Sequence, residues 1–339
     1  MQEKKTTTKE TVLSFLKENF ATNKHSFISG EEIASKLNIS RAAVCKAVNS
    51  LKKDGYDIRS KTKNGYKLQK DCCEKLNIKS LEKNFEKITN EKVKCECFNI
   101  ISSTNIYAKS IAQDAPAPYL IAAAAQTQGK GRLGRSFFSP DNHGVYFSLI
   151  LKPNLTLFDV SFITLIAAIS VHKILSTYCQ KELKIKWPND ILCENKKMCG
   201  ILTECSATGE NNSLQYAVVG IGLNLSGDES TIPGDLKNIM TTAQIAGAQT
   251  IDKNVIIPQI VKDFLKIFDN GNFINKKSEI IKEYKKYLAF LNEKVNVICY
   301  NEKYEAKIID VDKNGRLIVE KDGELITVCS GEISIKPVV

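Results

Sequence analysis

Gln126-Thr127-Gln128-Gly129-Lys130-Gly131-Arg132-Leu133-Gly134-Arg135 sets three glycines among three cations, directly after the apolar run 120–125. That run reads as a short buried strand, which delivers the basic loop at its end. Glycine reaches positive φ without steric penalty and lets a backbone approach a ligand closely. Successive N–H groups can therefore converge on an anion while Lys130, Arg132 and Arg135 neutralise it. The stretch is a candidate phosphate or adenylate cradle. A solvated basic loop has the same composition, and the rest of the chain decides between the two.

On either side of this loop, strand-like and helix-like runs alternate, the pattern of an α/β or α+β domain. Residues 100–105 end a strand and open a helix, with Ser103, Thr104 and Asn105 placed to cap it or to bind a polar ligand head. Residues 144–151 read as a strand and 160–178 as a long, largely buried helix. Lys186-Trp187-Pro188-Asn189-Asp190 contains the single tryptophan, which reads as core, and 193–204 reads as a hairpin. In 216–225, Gly220-Ile221-Gly222-Leu223-Asn224 forms a strand whose glycines permit a ligand or another backbone to approach. Without a third glycine and a following acidic residue, it is not a dinucleotide fingerprint.

A chain of 339 residues, 43% hydrophobic and 25% charged, has the length for two or three domains and the balance of a soluble globular protein. Its apolar runs are short and its first eleven residues polar, so neither a membrane span nor a secretory signal is expected, and the setting reads as cytosolic. Eleven cysteines without a CxxC pair suit reduced thiols, and Cys95-Glu96-Cys97 with three scattered histidines makes no metal site. His143 reads as a turn residue. The net charge of +10 is unevenly spread: residues 1–70 hold 15 Lys and Arg against 7 Asp and Glu, while the remainder is nearly neutral. Such asymmetry points to a nucleic-acid-binding module on a neutral body.

Those seventy residues have helix-turn-helix spacing. After a helical stretch over 10–20, Ser29 caps a helix with Glu32 at its third position, and Ile33, Ala34 and Leu37 form its apolar face. Asn38 allows a tight turn. Ser40 caps a second helix that buries Val44, Val48 and Leu51 and exposes Ser40, Arg41, Ala42 and Lys46 to read a groove. Residues 56–61 and 66–69 then flank Asn64-Gly65, a two-residue hairpin signal whose arms carry Arg59, Lys61, Lys63 and Lys67 as a phosphate-binding wing would. A polar segment, 71–83, follows as a linker or lead-in helix.

Taken together, Ser103-Thr104-Asn105, Gln126 with the glycine-cation loop, KWPND at 186–190, KKMCGILTE at 196–204 and GIGLN at 220–224 resemble the catalytic domain of biotin-protein ligases. With the winged helix in front, the chain is similar to the bifunctional form, biotin ligase and biotin operon repressor. Lys130 departs from the family, where many members carry Arg; it keeps the charge and loses the bidentate fork.

The resemblance implies an α+β multidomain protein. A winged helix-turn-helix over 1–70 would precede a mixed β-sheet acyl-adenylating domain over 84–288, akin to lipoate ligases and class II synthetases, and an SH3-like β-barrel over 289–339. Short β-rich runs at 295–300, 303–311, 317–321 and 324–329 agree with that last domain. The activity implied is that of a biotin–[biotin carboxyl-carrier protein] ligase. Biotin and ATP, with Mg2+, give biotinyl-5′-adenylate, and biotin then passes to a lysine of a carrier protein such as that of acetyl-CoA carboxylase. Lys197 and Arg132 would be the catalytic cations. Ser103, Thr104, Asn105, Gln126, Lys130, Gly131, Arg132 and Lys197 would hold biotin, and Arg132, Arg135, Asn189, Asp190 and Asn224 the nucleotide. Ser40, Arg41, Ala42, Lys46, Lys61 and Lys63 would contact operator DNA in a ligand-promoted homodimer. Two other readings share features: a lipoate ligase, and a DNA-binding regulator whose ligase body serves only as a biotin sensor.

Overall fold

The computed structural model describes residues 7–22, 26–53, 58–61, 64–68, 76–89, 93–141, 143–209, 211–299, 302–328 and 333–337. The chain divides into two compact units, residues 1–75 and 76–339. Lys63 of the expected wing lies outside the described residues.

In the first unit, α1 (Thr8–Thr22) precedes α2 (Gly30–Leu37) and α3 (Arg41–Lys53), followed by β1 (Ile58–Lys61) and β2 (Gly65–Leu68). The two capping serines act as the sequence predicts. Ser29 Oγ accepts the Glu32 N–H at 3.0 Å and Ser40 Oγ the Ala43 N–H at 3.1 Å. Asn38 stops α2 in the left-handed region at φ 51°. Val12, Leu16, Ile33, Val44, Val48 and Leu51 close a small core. Ser40, Arg41, Ala42 and Lys46 are exposed, and so are Cys45 and Asn49, which complete the outer face of α3.

The wing differs from the expected two-residue turn. β1 and β2 pair antiparallel with Lys61 opposite Gly65, so three residues connect them. On its other side Tyr66 exchanges two backbone hydrogen bonds with Ile28, at 2.9 and 2.8 Å, a single bridge that ties the wing to the residue before α2's cap. Gly65 sits where that backbone comes close: at φ +98°, an added Cβ would lie 1.9 Å from the Ile28 carbonyl oxygen. Its glycine therefore answers to a long-range pairing as well as to the turn.

The second unit begins with α4 (Ile78–Thr89), so the expected linker over 71–83 is helix from Ile78 onward. Its amphipathic face buries Leu81 and Phe85, and Asn84 Nδ2 donates to the Asn254 carbonyl at 2.8 Å. A mixed seven-stranded sheet follows. Its strands are β3 (Lys94–Ile101), β4 (Tyr119–Gln126), β5 (Gly144–Leu151), β6 (Leu183–Lys186), β7 (Asp190–Cys193), β8 (Lys196–Thr208) and β9 (Ser213–Asn224), in the order β3-β4-β5-β9-β8-β7-β6. Only β3 and β4 run parallel, joined through α5 (Thr104–Ile111).

Alternation along β5 and β9 divides the faces of this sheet. Leu149, Leu151, Ala217 and Val219 join the main core with α6 (Val160–Ser176) and α7 (Lys253–Phe268), whereas Ile150 and Val218 meet α5. Residues 157–176 are long and apolar enough to cross a membrane by composition alone, contrary to the expectation of short apolar runs only. Phe162, Ile163, Leu165, Ile166 and Ile169 place this helix inside the core.

After α8 (Lys277–Lys286) come β10 (Lys294–Cys299), β11 (Glu302–Val311), β12 (Leu317–Lys321), β13 (Glu324–Val328) and β14 (Ile333–Pro337). They form an antiparallel sheet ordered β13-β12-β11-β10-β14, in which the last strand returns beside the first. Trp187 is 3% exposed, and its Nε1 donates to the Gly315 carbonyl at 2.8 Å, tying this sheet to the larger one. Among the described residues, Cys45, Cys95, Cys97, Cys179, Cys193, Cys199 and Cys205 are free thiols.

Gly65→Ala should destabilise the first unit by more than about 1 kcal/mol, since the new Cβ strains φ and separates β2 from residue 28. Gly234→Ala, whose Cβ meets nothing within 4 Å, should stay within about 0.5 kcal/mol. Urea denaturation of the two variants checks the contrast.

Candidate active site

Three glycines decide what lies on the sheet face that α5 covers. Gly220 faces Ser148 on β5 and Leu202 on β8 in register, and an added Cβ would lie 1.9 Å from Asn105 Oδ1. At Gly222 the Cβ would meet the Phe137 ring at 2.6 Å. At Gly200 it would meet both the end of Lys197, at 2.8 Å, and Phe137, at 2.9 Å. The side chains of Asn105, Phe137 and Lys197 thus rest on bare backbone. The sequence signal, glycine in a strand, promised a close approach; what approaches is this chain's own side chains.

These elements enclose a cleft of about 430 Å³, counting its open mouth. Ser103, Thr104, Asn105, Gln126, Lys130, Gly131, Arg132, Asn189 and Lys197, separated by up to 94 positions in sequence, all line it. Phe137, Tyr146, Gly200, Gly220 and Gly222 line it as well and were not singled out from sequence as site residues. The glycines stood in quoted motifs, but Phe137 and Tyr146 carried no signal beyond ordinary aromatic residues.

The closed end is polar. Ser103 caps α5, its Oγ accepting the Ile106 N–H. Gln126 Oε1 accepts from Thr104 N at 2.8 Å, and Gln126 Nε2 donates to Ser139 Oγ at 3.1 Å. Ser148, missed in the sequence, lies 2.8 Å from Thr104 Oγ1 and 2.6 Å from Asn105 Oδ1.

The glycine-cation loop folds back on itself. Gly131 N–H donates to Arg135 O at 2.7 Å and Phe137 N–H to Gly129 O at 2.8 Å, while Lys130 bridges to Ser136. Gly129 is required by this turn, since a Cβ would lie 2.4 Å from Phe137 O. At its tip Leu133, at φ 61°, and Gly134, at φ 73°, both take positive φ. Lys130 is exposed on the cleft rim. Arg132 reaches towards Asn189 Oδ1 at 3.4 Å. Burial lowers the Arg132 pKa from its ordinary value, and Asp190 acts in the opposite direction.

Lys197 is held from two directions. Its ammonium pairs with Asp190 at 2.7 Å and lies 5.4 Å from the Phe137 ring centroid. Its backbone donates to Ile239 O at 2.9 Å and accepts from Thr241 N at 3.0 Å, so the chain beyond β9 clamps it. Asn224 Nδ2 donates to Lys197 O at 3.4 Å.

Three residues expected at the nucleotide are not among those that line this cleft. Asn224 is 3% exposed and supports the Lys197 backbone instead of lining the cleft. Asp190 faces Lys197, and Arg135 is exposed outside the cleft lining. Asn189 does line it while also bonding Ile201 O at 2.8 Å. His143 accepts Leu225 N–H and Ser226 N–H with its carbonyl, a turn role as the sequence suggested. Cys199, two residues from Lys197, is buried outside the cleft lining, and burial pushes its thiol far up.

The arrangement concentrates Lys130, Arg132 and Lys197 around a largely uncharged polar pocket, with Asp190 as counter-charge. It suits a ligand with a neutral polar head and an anionic end. A second, larger groove continues from Arg132, Ile201 and Leu202 to Phe158, Phe162 and the turn at Gly315.

Residues 97–224 match the biotin/lipoate A/B protein ligase family, 10–67 an HTH domain and 290–336 the biotin protein ligase C-terminal domain. The chain is 30% identical to the bifunctional ligase/repressor BirA of Bacillus subtilis, over 96% of this chain and 99% of that protein. It is 26% identical to the protein of the same name from Escherichia coli, over 91% and 93%. Among solved structures, the biotin protein ligase from Aquifex aeolicus in complex with biotin and ATP aligns with a TM-score of 0.58 at 26% identity, covering 72% of this chain and 99% of that one. A helix-turn-helix unit joined to this ligase domain and its C-terminal sheet, matched along almost the whole length, makes the chain a member of the bifunctional biotin ligase/repressor family.

Proposed function

We propose that the chain joins biotin to ATP and passes the biotinyl group to a lysine of a biotin carboxyl carrier protein. We further propose that the adenylate formed on the way promotes dimerisation and repression of biotin genes through the N-terminal unit. The observation that carries the first part is the meeting of Thr104, Gln126, Arg132 and Lys197 in one cleft. A carboxylate oxygen of biotin attacks the α-phosphorus, a P–O bond forms, and pyrophosphate leaves. A neutral lysine amine of the carrier then attacks the biotinyl carbonyl carbon, an amide forms, AMP leaves, and the amine proton passes to solvent.

Two anions must meet in the first step, and fixed cations offset their repulsion. Lys197 faces the reacting oxygens, exchanging Asp190 for substrate. Arg132 and Lys130 hold the carboxylate and then the adenylate phosphate. Ser103, Thr104 and Gln126 meet the ureido head, Asn189 meets the nucleotide, and Asp190 and Asn224 act through Lys197. Among the described residues, no group of three His, Cys, Asp or Glu could hold a metal ion. Mg2+ accordingly fits this cleft as a passenger on the triphosphate of the substrate. The biotin/lipoate family spans lipoate ligases too; the full-length match to ligase/repressors and the helix-turn-helix unit favour biotin. The free thiols are in keeping with a cytosolic setting.

Lys197→Met should lower biotin-dependent ATP–pyrophosphate exchange by about 10²–10³-fold, the usual cost of one transition-state charge contact. Exchange with lipoate in place of biotin would overturn the substrate assignment. Arg132→Gly should still form adenylate but hold it roughly ten- to a hundredfold more weakly, releasing it to label bystander lysines. Labelling confined to the carrier lysine would remove that role from Arg132.

On DNA from its own biotin promoter, the chain should bind more tightly with biotin plus ATP, and less tightly as salt rises. Binding should also weaken in Arg41→Ala and Lys46→Ala, through lost base or phosphate contacts. Gel-shift titration decides this; equal affinity with and without adenylate would leave the ligase activity without its regulatory coupling.

A further inference from the structure

Behind the cleft's closed end, hydrogen-bond donors and acceptors form a chain with one consistent direction. It starts at Glu204 on β8, which is absent from the cleft lining. Its carboxylate pairs with Lys109 and accepts from Asn105 Nδ2 at 2.9 Å. The other Nδ2 hydrogen goes to Leu202 O at 3.2 Å. A carboxylate and a carbonyl can be met only by the NH2 edge of an amide, so Asn105 must turn Oδ1 the opposite way, towards Ser148. Ser148 Oγ, 2.6 Å from that oxygen, must donate to it.

With its one hydrogen so committed, Ser148 accepts from Thr104 Oγ1 at 2.8 Å. Were Thr104 to donate instead to Gln126 Oε1, at 3.2 Å, two hydroxyl oxygens would face each other at 2.8 Å without a hydrogen between them. Thr104 is a residue of the cleft lining, and its Oγ1 is left with a lone pair and no hydrogen to give. A cyclic urea offers N–H donors on either side of its carbonyl, and an N–H requires such an acceptor.

Building on the biotin ligase reading above, we propose that Glu204 is a positioning residue. By fixing the Asn105 amide it orients the Ser148 and Thr104 hydroxyls, making Thr104 an obligate acceptor for a ureido N–H. Gly220 admits the device, since any Cβ there would displace Asn105. Without Glu204 only the longer bond to Leu202 O, at 3.2 Å, holds the amide; its orientation loosens, Ser148 is less firmly committed, and Thr104 can present its hydrogen to the ligand.

The test is biotin-dependent ATP–pyrophosphate exchange in the full chain, with separate KM values for biotin and ATP. Glu204→Ala should raise the biotin KM about tenfold, the loss of one well-placed hydrogen bond, while kcat and the ATP KM hold within about twofold. Glu204→Gln, whose amide oxygen can still accept from Asn105, should restore most of the affinity. Ser148→Ala, which cuts the chain one link nearer the cleft, should reproduce the Glu204→Ala effect even where that variant folds poorly. Adding Glu204→Ala to Asn105→Ala should raise the biotin KM no further, because both act through one amide.

An unchanged biotin KM in Glu204→Ala, equal rises in both KM values, or multiplying effects in the double variant would each overturn the proposal. A wild-type chain that shows exchange with none of its biotin would instead overturn the ligase reading, and this role with it.

Discussion

The cleft depends on a sheet surface stripped of Cβ atoms. Gly200, Gly220 and Gly222 lie on the neighbouring central strands β8 and β9, and the side chains that cross them are the ones closest to the proposed chemistry. Any larger residue would displace Asn105, Phe137 or Lys197, because a Cβ at these positions meets them at 1.9–2.9 Å. Phe137 is shared between Gly200 and Gly222, and Lys197 lies over its ring, so the floor of the cleft and its central cation are set by one packing arrangement.

Electrostatics completes what packing starts. Burial weakens the hydration of Arg132, and Asp190 compensates both Arg132 and Lys197. In the proposed reaction a substrate carboxylate or phosphate takes over that compensation. The Lys197 backbone is also fixed, by residues 239–241 on one side and by Asn224 from the end of β9. Lys197 thereby combines a pinned main chain with a side chain whose partner can be exchanged.

The N-terminal unit rests on local rules to a much greater degree. Ser29, Asn38 and Ser40 set the ends of two helices with hydrogen bonds that span three or four residues. Its wing is the exception. β2 pairs with Ile28, thirty-eight positions before Tyr66, and Gly65 is spaced for that neighbour.

The sequence by itself determined most of the elements and named nine of the residues that line the cleft. Helix caps and the motifs around Thr104, Gln126, Arg132, Asn189 and Lys197 are short-range patterns, and each names a residue type that its chemistry requires. Only tertiary structure decided how those residues serve the site. Asn224 belongs to a legible motif, yet it turns to the Lys197 backbone and not to the cleft. Asn105 reads as a head-group contact, yet its amide is occupied by Ser148, Leu202 and Glu204. Phe137, Tyr146 and Ser148 passed unnoticed because an aromatic ring or a hydroxyl has no distinctive spacing of its own. Tyr146 and Ser148 take their positions from strand register across β5, β9 and β8, and Phe137 from the loop after β4 that lays its ring over Gly200 and Gly222; register and loop packing are set by the whole sheet, which no local stretch of sequence contains.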